Sequence, residues 1–79
     1  MWIRSQDRKS LSNVNGVLID TTLDKSRCYI YGFVDRGRDI LGEYSTQEKA
    51  LSILDTLEKL ALYPVNASYQ MPQDDEVGQ

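Results

Sequence analysis

The alternation of apolar and polar side chains predicts β-strands in the first half of the chain. Tyr29, Tyr31 and Phe33 share one side of an extended segment, and small or aliphatic residues occupy the alternate positions. Aromatic and β-branched residues favour a pleated surface, so this segment is predicted to be the central strand. A polar loop with a glycine at position 37 is typical of a hairpin between this strand and the next. The predicted strands are residues 2–5, 17–21, 28–34 and 39–44.

A helix is predicted between Ser45 and Pro64. Ser45 and Glu48 have the spacing of a capping box, in which the side chain of each residue accepts a hydrogen bond from the backbone N–H of the other. Proline disfavours the helical conformation of the residue before it, so Pro64 is expected to end the helix. Apolar residues recur at intervals of three and four behind the cap, which indicates an amphipathic helix with one buried stripe. This stripe consists of Ala50, Ile53, Leu54, Leu57, Leu60 and Ala61.

The order of these elements predicts an α+β fold of the form ββββα. We expect a four-stranded antiparallel sheet with the C-terminal amphipathic helix packed on one face, forming a single domain over residues 1–63. Residues 64–79 have no sustained period and carry three acidic residues at positions 74–76, so they are expected to be a flexible tail. One helix covers only one face of a sheet. A second copy of the chain is the simplest cover for the other face, which predicts a homo-oligomer, most simply a dimer.

The composition favours binding over catalysis. The 79 residues allow one domain, and they include no histidine and a single cysteine. Without histidine the chain lacks the commonest general base and metal ligand, and one cysteine excludes an internal disulfide and a cysteine-rich zinc site. Cys28 is interpreted as a small buried residue. We therefore expect no enzymatic activity, no cofactor and no metal.

The charges are unevenly distributed along the chain. Residues 1–38 hold seven basic and four acidic side chains, whereas residues 39–63 hold two basic and five acidic ones. The last sixteen residues add three acids and no base, which accounts for the net charge of −3. No apolar run approaches the roughly 20 residues of a membrane span, and the N-terminus does not resemble a signal peptide. The expected location is the cytoplasm.

The basic half of the chain contains residues suited to a nucleotide pocket. Arginine binds phosphate through a planar fork of donors, and aromatic rings stack on a base. The candidate ligand-binding residues are Arg4, Arg8, Arg36 and Arg38 for phosphate, Ser5 and Gln6 for polar contacts, and Trp2 and Tyr31 for stacking. Duplex nucleic acid is a poor fit, because the polar side of the predicted helix is acidic. That acidic side and the acidic tail indicate an alternative, in which the protein occupies a partner's nucleic-acid-binding groove.

Two segments of the chain have a familiar pattern. The first runs from Trp2 to Asp7 and is followed by Leu11, Val14 and Asn15, and the second runs from Ile40 to Ala50 and continues into Ile53 and Leu54. Together they resemble a group of small phage and prophage proteins of low-GC Gram-positive bacteria. The resemblance covers about residues 1–62 and leaves the tail unmatched. It implies an accessory protein that acts inside the host bacterium, where such proteins often counter antiviral defence.

Together these observations support three hypotheses. The first is a non-enzymatic phage or mobile-element protein that sequesters a nucleotide immune signal. The second is a protein inhibitor of a host defence nuclease, and the third is a structural or assembly protein.

Overall fold

The computed structural model describes residues 1–62 and 68–77. In chain order the strands are β1 (Trp2–Arg4), β2 (Leu11–Asn13), β3 (Gly16–Thr21), β4 (Cys28–Val34) and β5 (Gly37–Tyr44). Helix α1 (Gln47–Leu62), strand β6 (Tyr69–Gln70) and a 3₁₀ turn (Asp74–Glu76) complete the described elements. The predicted α+β class with one α-helix is confirmed for this part of the chain.

Strands β3, β4 and β5 form an antiparallel meander with β4 in the centre, as predicted. A tight turn joins β4 to β5, where Val34 pairs with Gly37. Gly37 has a φ of 141°, a conformation that side chains rarely tolerate, so the glycine permits this turn. Cys28 and Ile30 point from β4 into the core, and Cys28 is buried as expected.

The prediction of one four-stranded sheet is wrong, because β1 belongs to a second three-stranded sheet. It lies between β2, with which it is antiparallel, and β6, with which it is parallel. The edge of β5 is instead met by Gln6, whose backbone N–H donates to the Leu41 carbonyl at 2.8 Å. The Gln6 side chain bonds both the N–H and the carbonyl of Glu43, so the chain after β1 touches β5 without pairing as a strand.

The N-cap of helix α1 lies one residue later than predicted. Thr46, rather than Ser45, lies before the first helical residue, and its Oγ1 accepts from the Lys49 N–H at 3.1 Å. This is the bond that a threonine N-cap makes with the third residue of a helix. The Ser45 N–H donates to Asp74 Oδ1 at 2.8 Å instead. The predicted stop at Pro64 lies outside the described residues, and the described helix reaches Leu62.

Residues 68–77 are part of the domain, so the expectation of a flexible tail is wrong for them. Strand β6 pairs with β1, and Met71 is fully buried while Val77 is 5% exposed. These apolar residues join a core between the two sheets and the helix. The core consists of Ile3, Val14, Cys28, Ile30, Leu41, Tyr44, Ala50, Ile53, Leu57, Met71 and Val77. Met71 and Val77 therefore fix an otherwise polar segment to the domain, although each is an isolated apolar residue in the sequence.

Asp74 fastens this segment to the start of the helix. Its carboxylate accepts from the Ser45 N–H and lies 3.3 Å from Lys49 Nζ, which also donates to the Asp74 carbonyl at 2.9 Å. The Ser45 N–H bond, with the nearby Lys49 charge, holds the pKa of Asp74 below its usual value. The carboxylate is therefore stabilised in its charged form by the contacts that hold the segment in place.

Candidate ligand-binding surface

The outer face of the β3–β4–β5 sheet carries a cluster of aromatic and apolar side chains, which we call the tyrosine face. Tyr31 lies at its centre, opposite Leu18 on β3 and Ile40 on β5. Phe33 is 40% exposed and Ile40 is 55% exposed, whereas Tyr31 is half-buried. The face is defined by Leu18, Tyr29, Tyr31, Phe33, Arg38 and Ile40. Contiguous exposed apolar side chains of this kind mark interaction surfaces.

Arg38 lies over the Tyr31 ring. Its guanidinium carbon is 4.4 Å from the ring centroid, within the range of a cation–π contact. Tyr29 lies beside Tyr31, with ring centroids 6.3 Å apart and planes tilted by 43°. The arrangement places a cationic fork, whose N–H groups make no hydrogen bond within residues 1–62 and 68–77, on an aromatic surface. Such a surface suits a ligand that combines a flat ring with negative charge.

A β-bulge in β5 produces this face. Ile30 pairs with Gly42 but Tyr31 pairs with Ile40, so Leu41 is an extra residue on β5. The bulge turns Leu41 into the core, where it is 2% exposed, and leaves Ile40 on the outer face. Alternation alone would have placed Arg38 and Ile40 on the same side as Gly42, which faces inward.

The predicted basic residues are divided between the two sheets and their turns. Arg36 lies in the exposed turn between β4 and β5, close in sequence to Arg38. Trp2 and Arg4 point outward from the other sheet, because Ile3 between them points into the core. Arg8 lies in the exposed β1–β2 turn with a φ of 68°. Thus Tyr31 and Arg38 are in contact on one sheet and Arg36 lies in the adjoining turn, whereas Trp2 and Arg4 belong to the other sheet.

Ser5 and Gln6 make contacts within the fold. Ser5 is 6% exposed, and its hydroxyl donates to Asp7 Oδ1 at 2.5 Å while accepting from the Ser10 N–H. The hydroxyl bond from Ser5 is the main reason that the pKa of Asp7 is lowered. The Gln6 amide bonds the Glu43 backbone, as described above. Their positions in the fold therefore explain both residues without a ligand.

Two residues of this surface are not among the candidate ligand-binding residues predicted from the sequence. Phe33 and Ile40 are among its most exposed members, although only Tyr31 and Arg38 of this face were candidates. The shared parity of Tyr29, Tyr31 and Phe33 was a signal that they lie together. The bulge that adds Ile40 has no local sequence signal.

A groove of about 450 Å³ lies on another part of the surface, between helix α1 and the N-terminal segment. Ile3, Val14 and Val17 line one side, and Leu51 and Leu54 line the helix side. Asp55 and Glu58 also line it, and the described lining residues include no lysine or arginine. This groove is chemically unlike the tyrosine face and does not suit a phosphate.

The described residues contain no cluster of three or more histidine, cysteine or carboxylate side chains placed to hold a metal ion. No helix in the described part of the chain has the length and apolar character needed to cross a membrane.

Comparisons with protein-family models, with characterised proteins and with solved structures find no match to this chain.

Proposed function

We propose that this protein is a non-enzymatic binding protein that sequesters a nucleotide at the tyrosine face. The observation that supports this proposal is the Arg38 guanidinium over the Tyr31 ring, with Phe33 exposed beside it. A base stacks on the aromatic surface, and Arg38 and Arg36 bind its phosphates. The resemblance to phage accessory proteins supports the more specific role, in which the nucleotide is an immune signal of the bacterial host.

A second copy of the chain covers the tyrosine face in this proposal, with the ligand held between the two copies. The support is the half-buried state of Tyr31 and Tyr29, which leaves apolar ring surface open to solvent in a single copy. A nucleotide enclosed between two such faces loses more contact with water than one held on an open sheet.

The alternative of an inhibitor that uses the acidic tail receives less support. The carboxylate of Asp74 bonds Ser45 and Lys49, so it is already engaged within the domain. Asp75 and Glu76 are exposed, but they follow directly in the same docked turn. A segment that anchors the helix is poorly placed to be extended into a partner.

Native mass spectrometry with cyclic nucleotides and ADP-ribose derivatives tests ligand binding. We expect a bound species with the native protein and at least a tenfold weaker complex with Arg38→Gln, which corresponds to about 1.4 kcal/mol. Lys59→Gln is the matched control, because it removes one exposed positive charge from the helix instead. The absence of both a bound species and a thermal shift with the native protein would overturn the proposal. Equal binding by Arg38→Gln and Lys59→Gln would overturn the assigned site.

The same spectra test the second copy. The native protein is expected at twice the chain mass, and Tyr31→Asp is expected to shift it to the monomer, because a carboxylate on the tyrosine face would be buried in the interface. If the native protein is a monomer and still binds the nucleotide, the proposed dimer is wrong and the proposed ligand site stands.

A further inference from the structure

The groove beside helix α1 is a second surface, independent of the tyrosine face. Its helix side is formed by positions from Leu51 to Ala61, a length of about 15 Å at 1.5 Å per residue. Its volume of about 450 Å³ lies within the usual range for a ligand site. Leu51 is 46% exposed and Met1 is 40% exposed, so apolar surface at the groove is open to solvent.

The charged side chains that line the groove are all acidic. Asp55 and Glu58 are both exposed, and neither forms an ion pair among the described residues, although Lys59 is four positions from Asp55. The ammonium group of Met1 is bonded to Asn13 Oδ1 at 3.0 Å and to the Val14 carbonyl at 3.2 Å. Residues 63–67, which follow the helix in the sequence, contain no charged side chain. The groove therefore combines an apolar floor with two carboxylates that lack basic partners in the described part of the chain.

This combination favours a cationic occupant over a second copy of the chain. A two-fold interface at the groove would bring Asp55 and Glu58 of both copies into one interface, so four carboxylates would share it, and like charges repel. The helix side also offers only side chains, because the backbone groups inside α1 are bonded within the helix. An occupant that satisfies its own backbone hydrogen bonds, such as a helix, fits such a groove best.

We propose that the groove docks a cationic amphipathic helix of a partner protein. Apolar side chains of that helix, spaced by three and four residues, fill the space between Val17 and Leu54. Lysine or arginine side chains beside them pair with Asp55 and Glu58. A length of 15 Å accommodates about ten helical residues, or three turns.

Two designed helical peptides test this proposal. Both carry leucines at the same positions of a fourteen-residue helix, and the flanking positions are lysine in one and glutamate in the other. Binding is measured by calorimetry and by the fluorescence of Trp2, the single tryptophan, which follows Met1 at the groove. The lysine peptide is expected to bind at least tenfold more tightly than the glutamate peptide, with a difference that shrinks at high salt.

Charge reversal makes the test specific. The double variant Asp55→Lys, Glu58→Lys is expected to prefer the glutamate peptide, whereas Glu48→Lys, on the same helix but outside the groove, should retain the native preference. Leu51→Lys is expected to weaken the binding of both peptides. Because Leu51 is exposed, the variant should still fold. Equal affinities for the two peptides, or an unchanged preference in the double variant, would overturn the proposal. Self-association of the native protein that Leu51→Lys abolishes would identify a second copy as the occupant and would also overturn it.

Discussion

The Gln6 side chain is predicted to be a structural clamp, and its replacement should destabilise the domain measurably. Its Nε2 donates to the carbonyls of Glu43 at 3.0 Å and Pro72 at 3.3 Å, and its Oε1 accepts from the Glu43 N–H at 2.9 Å. The clamp thus joins the end of β1 to β5 and to the C-terminal segment. A hydrogen bond contributes about 1 kcal/mol net, so Gln6→Ala should cost about 2–3 kcal/mol. This is a large part of the roughly 4–12 kcal/mol typical of a domain this size.

Urea denaturation followed by circular dichroism measures this loss. The midpoint should fall while the slope against urea stays constant, because the surface exposed on unfolding is little changed. Gln47→Ala is the matched control, since Gln47 is exposed at the first position of α1. It should change the unfolding free energy by less than about 0.5 kcal/mol.

Gln6→Glu gives a second, independent measurement through its pH dependence. An ionised carboxylate cannot donate to the carbonyls of Glu43 and Pro72, so the variant should be destabilised at pH 7. Those carbonyls favour the protonated form, which raises the pKa of the introduced carboxyl in the folded state. Stability relative to the native protein should therefore recover as the pH falls through that raised pKa towards 4. A Gln6→Ala loss no greater than that of Gln47→Ala, or a Gln6→Glu deficit independent of pH, would refute the clamp.

Two further predictions concern the C-terminal segment. Met71→Ala removes a fully buried side chain and should cost about 2–5 kcal/mol in urea denaturation, whereas a freely mobile tail would lose nothing. Asp74→Asn should cost about 1 kcal/mol near pH 7, because it weakens the bond to the Ser45 N–H and removes the Lys49 ion pair. Since the folded-state pKa of Asp74 is lowered, this contribution is present above the ordinary value of 3.8 and is lost as the pH falls below it. The native protein and Asp74→Asn should therefore converge in stability as the pH falls below 3.8, and a constant difference would contradict the assignment.

Elements with a local pattern were predictable from the sequence, and those that depend on distant pairing were not. The alternation around Tyr31 and the three- and four-residue spacing around Ile53 identified β4 and α1, because the pattern that predicts each element lies within one short stretch of sequence. Strand β6 consists of two residues that pair with Ile3 and Arg4, more than sixty positions away. No local hydrophobic pattern predicts so short a strand. Met71 likewise reads as an isolated apolar residue in a polar segment.

The candidate site divides in the same way. Tyr31 and Arg38 were predicted and lie in contact, because residues on facing strands of one hairpin are brought together by local geometry. Gln6 has the same chemistry whether it bonds a ligand or a neighbouring backbone. Only the position of β5 beside it decides between the two, and that position is a tertiary property.

The parallel pairing of β1 with β6 has a consequence for synthesis of the protein. Ile3 lies opposite Tyr69, so the sheet that contains β1 stays incomplete until Tyr69 and Gln70 have left the ribosome. The β3–β5 meander and α1 can form earlier, since their contacts lie within one continuous stretch of chain. During that interval Ile3 lacks the parallel neighbour that it has in the native protein, and Met71 has not reached the core. The native state is therefore reached by closing a long loop after the meander and α1 have been synthesised, a step whose entropy cost the β1–β6 bonds and Met71 must offset.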